Sequence, residues 1–226
     1  MIVRTIIQSA LWIGLMGVCL FAAAGNWAWP QGWAFIAIYF FGSLAFAAYY
    51  VKRDPALLQA RMEPLKEKGA PWWDRVFLLT FITIWFLWLI FMALDAQRWH
   101  LSAPMPVSVN VIGAVLIAAG FLATFAVFNA NSFAEPMVRL QSDRGQHVID
   151  TGPYALVRHP MYASAIFYLF GMPLLLGSTW GLLVPPLFII AVSLRAIGEE
   201  NKLARELPGY ADYKTRVRYR LIPYVW

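Results

Sequence analysis

The chain has 226 residues, 61% of them hydrophobic and only 13% charged. Soluble domains carry about 25% charged residues, so lipid is the expected solvent, and the length leaves no room for a separate soluble enzyme domain. Cys19 is the single cysteine, which excludes an intrachain disulfide and a cysteine-based zinc site. The net charge of +6 does not gather into a soluble basic patch, so no nucleic acid is expected as a partner.

Six apolar segments follow in order. The first runs from Ile6 to Ala24 and ends in Ala22-Ala23-Ala24-Gly25, a sequence like a signal-peptide cleavage site. Its apolar run exceeds the ~7–15 residues of a signal core, which predicts a retained helix. The second covers Gly32 to Val51, after a turn whose Trp27 and Trp29 suit an interfacial belt. The third covers Val76 to Leu94 and the fourth Val107 to Phe128, each near the ~20 residues that cross a bilayer. The loop from Lys52 to Asp74 has mixed charge and reads as a solvated surface, with a short helix around Ala56–Met62 and no chemistry of its own.

The last two segments differ. Ala163 to Leu176 is short, Gly177-Ser178-Thr179 turns the chain, and Trp180 to Ile197 returns. Pro173 and Pro185-Pro186 are expected to interrupt these helices locally. The predicted fold class is therefore all-α: a multi-spanning transmembrane helical bundle of about four full spans plus a C-terminal kinked helical hairpin and a polar tail. One integral-membrane domain spans 1–226, with 1–129 as scaffold and 130–226 as the functional half. With the N-terminus cytoplasmic, every one of the 18 Lys and Arg residues except Arg98 falls on the cytoplasmic side. The positive-inside rule then predicts a multi-pass protein with both termini cytoplasmic.

Two polar stretches share that face. Gly152-Pro153-Tyr154 reads as a turn. Arg158-His159-Pro160-Met161-Tyr162 opens the fifth helix, with Pro where its missing N–H costs nothing. Helix N-terminal donors, Arg158 and His159 together suit an anionic group; the plainer reading is an ordinary helix start in the headgroup zone. Near the C-terminus, Arg195 and Glu199 fall on one helical face, with Glu200 about a third of a turn away. They form either a surface ion pair or a ligand site, and charges at the edge of so apolar a run tend to be functional. Asp143, Arg144, Gln146 and His147 precede the turn as a polar loop, and Leu207-Pro208-Gly209-Tyr210 with Arg218-Tyr219-Arg220 suits a tail at the interface. No metal-ligand spacing occurs, and there is no Walker or Rossmann glycine pattern.

The order G-P-Y-x-x-V-R-H-P-x-Y, an apolar hairpin, R-x-x-x-E-E-x-x-L, then G-Y-x-x-Y-K-x-R-V resembles the isoprenylcysteine carboxyl methyltransferase family and its prokaryotic relatives. Phospholipid N-methyltransferases share parts of it. The likeness covers about Arg139 to Pro223; the first four segments are similar only in being membrane spans. It implies a membrane enzyme that moves a methyl group from S-adenosyl-L-methionine to a lipidic or prenylated acceptor in the bilayer, by O-methylation of a carboxylate such as a C-terminal isoprenylcysteine. A lipid amine is the alternative acceptor. The resemblance assigns cofactor contacts to Arg139, Gln146, His147, Val148, Ile149, Tyr154, His159, Pro160, Met161 and Tyr162, with Glu199 for the ammonium end and Glu200 beside it. It gives Arg195 to the acceptor carboxylate and makes Arg195 and His159 the catalytic pair. The membrane would be the inner membrane of a bacterium or the endoplasmic reticulum of a eukaryote. Sterol-type NADPH-dependent reductases carry a similar R-H-P-x-Y turn, but they leave Glu199-Glu200 unexplained. A transporter would more often place charge at the midplane.

Overall fold

A computed structural model describes residues 2–62 and 71–226. Of the mixed-charge loop, residues 63–70, including Glu63, Lys66, Glu67 and Lys68, lie outside the described residues. The fold is all-helical: α1 Ile2–Ala24, α2 Pro30–Arg53, α3 Pro55–Met62, α4 Trp72–Ala93, α5 Val107–Ala130, α6 Pro160–Leu176, α7 Pro185–Glu206 and α8 Tyr210–Arg216. There is no strand among the described residues. Five helical stretches are long and apolar enough to cross a membrane: Arg4–Ala24, Pro30–Arg53, Trp72–Trp99, Val107–Ala130 and Trp180–Glu206. These make the chain a multi-pass membrane protein by length and composition. α6, at 17 residues, is about 26 Å long and so just short of the hydrocarbon thickness.

One core joins all the long helices. Met16, Leu20 and Phe21 of α1, Phe35 of α2, Trp88 and Met92 of α4, Ile117 of α5, Met172 of α6 and Phe188 of α7 pack together out of contact with solvent. The helix pair α5 and α6 is the closest in the bundle, because glycines meet there. A Cβ added to Gly113 would lie 2.7 Å from the carbonyl oxygen of Gly171, and one on Gly171 would lie 2.8 Å from that of Gly113. Small residues let helix backbones approach in lipid, where apolar surface alone gives no drive to associate. Asn110 fastens the crossing: its side-chain amide donates to the carbonyls of Leu174 (2.9 Å) and Leu175 (3.2 Å) at the end of α6. Those carbonyls would otherwise have no partner in the helix.

The C-terminal hairpin departs from expectation. α6 continues through Pro173 and stops at Gly177, whose φ of +82 closes the helix. Pro185 and Pro186 begin α7 rather than break it, since the first turn needs no N–H from them. α7 then runs on past Ile197 to Glu206. The Arg195–Glu200 strip is thus inside a helix and not at its end. Trp29, expected in an interfacial belt, is buried against Phe21, whereas Trp27 is exposed. At the end of the bundle away from α3 and α8, buried Asp95 accepts from the Ser102 amide (2.9 Å) and from the hydroxyls of Ser102 (2.7 Å) and Ser178. That network ties the α6–α7 turn to the π-helical turn Leu94–Trp99.

Candidate functional site

The chain between α5 and α6 does not cross the bundle directly. It folds back over one end, and local bonds hold it there. Asn131 accepts from the Phe133 amide (2.8 Å), and Gln141, buried, donates its side-chain amide to the Phe133 carbonyl (2.7 Å). The side chain of Gln146 accepts from the Gln141 amide (2.7 Å), so it is partly spent on holding its own loop. Asp74, at the start of α4, is fully buried. It accepts from the Val138 amide (2.6 Å) and from Arg195 Nε (2.8 Å) and Nη2 (3.2 Å). One carboxylate therefore joins α4, the loop and α7. The mixed-charge reading of Lys52–Asp74 gave this residue no role; its only signal was a carboxylate just ahead of an apolar span.

The loop, the α6 start, α7 and α8 enclose a narrow cleft of about 100 Å³, open at its mouth. Its wall includes Arg139, Gln146, His147, Val148, Ile149, Tyr154, His159, Pro160, Met161, Tyr162 and Glu199. Glu200 and Arg195 are not part of that wall. The wall also takes in Glu135, Phe133 and Arg158, and Leu203, Leu207, Tyr210 and Tyr213 from α7 and the tail. The tail was expected to lie at the interface. Instead Leu207, Tyr210, Tyr213 and Val217 form a buried cluster against Leu140 and Val148, and the Tyr213 hydroxyl donates to the Tyr154 carbonyl (2.8 Å). The signal was the spacing of Leu207, Tyr210, Tyr213 and Val217 on one helical face.

Inside the cleft a directional chain of bonds sets Glu199. Arg195 Nη1 donates to the Tyr162 hydroxyl (2.5 Å), which donates to Glu199 Oε2 (2.8 Å). His159 stacks on Tyr162, with ring centroids 5.4 Å apart, and its Nδ1 lies 3.7 Å from the same Glu199 oxygen. The Glu199 side chain keeps 27% exposure, enough for a ligand to reach it. Arg195 is otherwise largely occupied. Besides Asp74 and Tyr162 it donates to the Pro136 carbonyl (2.5 Å). Of its five N–H donors, one remains.

Glu200, 1% exposed, is the centre of a second group. It accepts from Arg158 Nε (2.7 Å) and Arg220 Nε (3.2 Å), with His159 Nε2 at 3.2 Å and Lys214 Nζ at 3.5 Å. Arg158 Nη1 also donates to the carbonyls of Val217 (2.7 Å) and Arg218 (2.9 Å). The backbone amides of Arg158 and His159, expected to be free for an anion, donate to the carbonyls of Tyr219 and Arg220 at 2.9 Å each. Arg158 and Glu200 therefore clamp the tail to the start of α6. Arg139 pairs with Glu135 at 2.7 Å, and His147 meets the Phe133 ring edge-on.

The three tyrosines of the wall are neutral hydrogen-bonding groups. Burial, first of all, pushes the hydroxyls of Tyr154, Tyr210 and Tyr213 well above the usual tyrosine range, and for Tyr210 the nearby Glu199 and Glu200 add to it. None is a proton acceptor near neutral pH. The cleft thus brings together a carboxylate, Arg139 and His147, aromatic rings and a methionine. Among the described residues no group of His, Cys, Asp and Glu is placed to hold a metal ion.

Fold and cleft together define a multi-pass membrane protein with a polar cleft at one end of an apolar bundle. Residues 109–208 match the family model described as phospholipid methyltransferase. The match covers α5, the folded-back loop, α6 and α7; it leaves out α1 to α4 and the tail tyrosines, and spans less than half of the chain. It supports a membrane methyltransferase acting on lipid. No curated protein matches the chain.

Proposed function

We propose that the protein transfers a methyl group from S-adenosyl-L-methionine to a lipidic acceptor, and that the acceptor group is a carboxylate such as that of a C-terminal isoprenylcysteine. The observation that carries the reading is Glu199, held by Tyr162 and facing the same cleft as Arg139 and the 146–149 strip. S-adenosylmethionine presents an ammonium, a carboxylate, a sulfonium and an adenine. The acidic, basic and aromatic groups of the cleft fit that donor set. When bound, the cofactor supplies an electrophilic methyl group. Glu199 then takes the ammonium end, and Arg139 and His147 face the carboxylate. Tyr154, Tyr210 and Met161 cover the heterocycle, while the clamped tail keeps water out.

A carboxylate acceptor is already ionised near neutral pH, so no general base is needed, and positioning can supply much of the acceleration. His159, with a carboxylate near each ring nitrogen, serves to orient Glu199 in this scheme. Arg195 acts through Tyr162 on the same residue. We place the cleft on the cytoplasmic face, a placement supported by the one-sided distribution of Lys and Arg. N-methylation of a lipid amine is a second reading, favoured by the family match. Its acceptor must lose a proton, for which the His159–Glu199 pair is at hand.

The test uses purified protein in detergent. S-adenosylhomocysteine should raise the melting temperature and NADPH should not; the reverse removes the reading. Methyl-labelled S-adenosylmethionine offered with prenylated cysteine and with phosphatidylethanolamine then separates the two acceptors by where the label lands.

A further inference from the structure

A second cavity lies beside the cleft, with Arg61 in its lining. It is a groove of about 650 Å³, open at its side, between α1, α2, α3 and α5. Its lining is largely apolar: Trp12, Phe46, Leu58, Phe121, Phe125 and Phe128. The one charged group in the lining is Arg61, in α3. Arg61 also touches the cleft. Its Nη1 donates to the Ala134 carbonyl (3.1 Å) and lies 3.7 Å from Met161 Sδ, and both residues line the cleft. Its guanidinium sits 4.3 Å from the centre of the Phe128 ring. Among the described residues no carboxylate comes within ion-pair distance of it, and the Nε and Nη2 donors have no acceptor. A cation placed so in an apolar wall asks for an anion, and a guanidinium presents two parallel donors to one.

Resting on the methyltransferase reading above, we propose that Arg61 receives the anionic head of the acceptor and that the acceptor's hydrocarbon chain lies in the α1–α2–α5 groove. The occupant is a long-chain lipid carboxylate. Arg61 lines the groove and touches Ala134 and Met161 of the cleft wall, so the group it holds is next to that wall. In a carboxylate, one oxygen takes the Arg61 donors while the other is the nucleophile. In an aminoethyl phospholipid, the Arg61 donors would hold the phosphate and leave the reacting amine two carbons away. In the step itself, a carboxylate oxygen lone pair forms the new O–CH3 bond. The C–S bond of the sulfonium breaks with its electron pair returning to sulfur, leaving an ester and S-adenosylhomocysteine, with no proton moved. Arg195, largely occupied by Asp74, Tyr162 and Pro136, is left as a positioning residue for Glu199.

The experiment uses the full chain in detergent with N-acetyl-S-farnesylcysteine, its methyl ester and lysophosphatidylethanolamine as probes. Acceptor KM, competitive binding and S-adenosylhomocysteine affinity are read for wild type, Arg61→Met, Arg61→Lys and Ser43→Trp, the last filling the groove. Arg61→Met should raise the KM for the carboxylate about tenfold or more, the loss of roughly one charged contact, and should abolish the preference for the acid over its ester. Arg61→Lys should recover part of both. Ser43→Trp should weaken acid and ester alike, and homocysteine-analogue affinity should stay within about twofold throughout. An unchanged KM in Arg61→Met overturns the proposal, as does equal weakening of acid and ester in that variant, which would make Arg61 only a pin for the Ala134 loop. An Arg61 dependence confined to the lysophospholipid overturns the carboxylate occupant. Wild type that binds no S-adenosylhomocysteine removes the methyltransferase reading itself, whereas transfer that persists without Arg61 removes this inference alone.

Discussion

Replacing Glu200 by leucine tests the tail clamp most directly. The carboxylate accepts from Arg158 at 2.7 Å and from Arg220 at 3.2 Å, and both it and Arg158 are buried. Removing one partner of a buried pair leaves the other charge uncompensated, at a cost of about 3–5 kcal/mol. For a chain of this size each kcal/mol lowers the melting temperature by about 2–4 °C, so the drop should be roughly 6–20 °C. The chain after α8 should also come free, because Arg158 holds the Val217 and Arg218 carbonyls. Tyr210 and Tyr213 then leave the cleft wall. The assay pairs a melting curve in detergent with limited proteolysis after Val217 and S-adenosylhomocysteine titration. Protease sensitivity near 217–220 and weaker binding should appear together. The double variant Glu200→Leu with Arg158→Leu should recover part of the melting temperature, since it leaves no lone buried charge. Melting within about 2 °C of wild type for the single variant would refute the reasoning. It would mean that the pair is solvated and worth no more than a surface contact of about 0–1 kcal/mol.

Three further outcomes are expected. Glu199→Ala should weaken S-adenosylhomocysteine binding by tenfold or more, about 1.4 kcal/mol, with little change in melting; calorimetry reads it, and unchanged affinity takes Glu199 out of the pocket. Asp74→Ala and Arg195→Ala should each lower melting markedly, and a double-mutant cycle should return a coupling of about 0.5–3 kcal/mol. Cofactor affinity should also fall in Arg195→Ala, because Glu199 loses the bond chain that sets it; unchanged affinity would mean that Arg195 does not act on Glu199. Asn110→Leu should cost about 1–3 kcal/mol through the carbonyls of Leu174 and Leu175, visible as lower melting with cofactor affinity preserved.

Much of the architecture was legible in the chain by itself. Apolar runs of helical length set the spans, and the one-sided Lys and Arg pattern gave their expected orientation. Gly177 and Pro160 marked the end and the start of α6 for backbone reasons that hold in any context. The strip from Gln146 to Tyr162 and the Glu199-Glu200 pair also stood out, because polar groups are scarce in so apolar a sequence. How those groups divide their labour was decided only in three dimensions. Neighbouring glutamates point to different sides of α7, so Glu199 faces the cleft while Glu200 is buried in the clamp. Arg195 meets Asp74, far from it in sequence, and loses most of its donors there. Arg61 reads as an ordinary loop cation until Phe128, Ala134 and Met161 surround it. Local sequence dictates which segments are helical and which residues are costly to bury. Which partner relieves that cost depends on where the helices cross, and here close glycine contacts between α5 and α6 set that crossing.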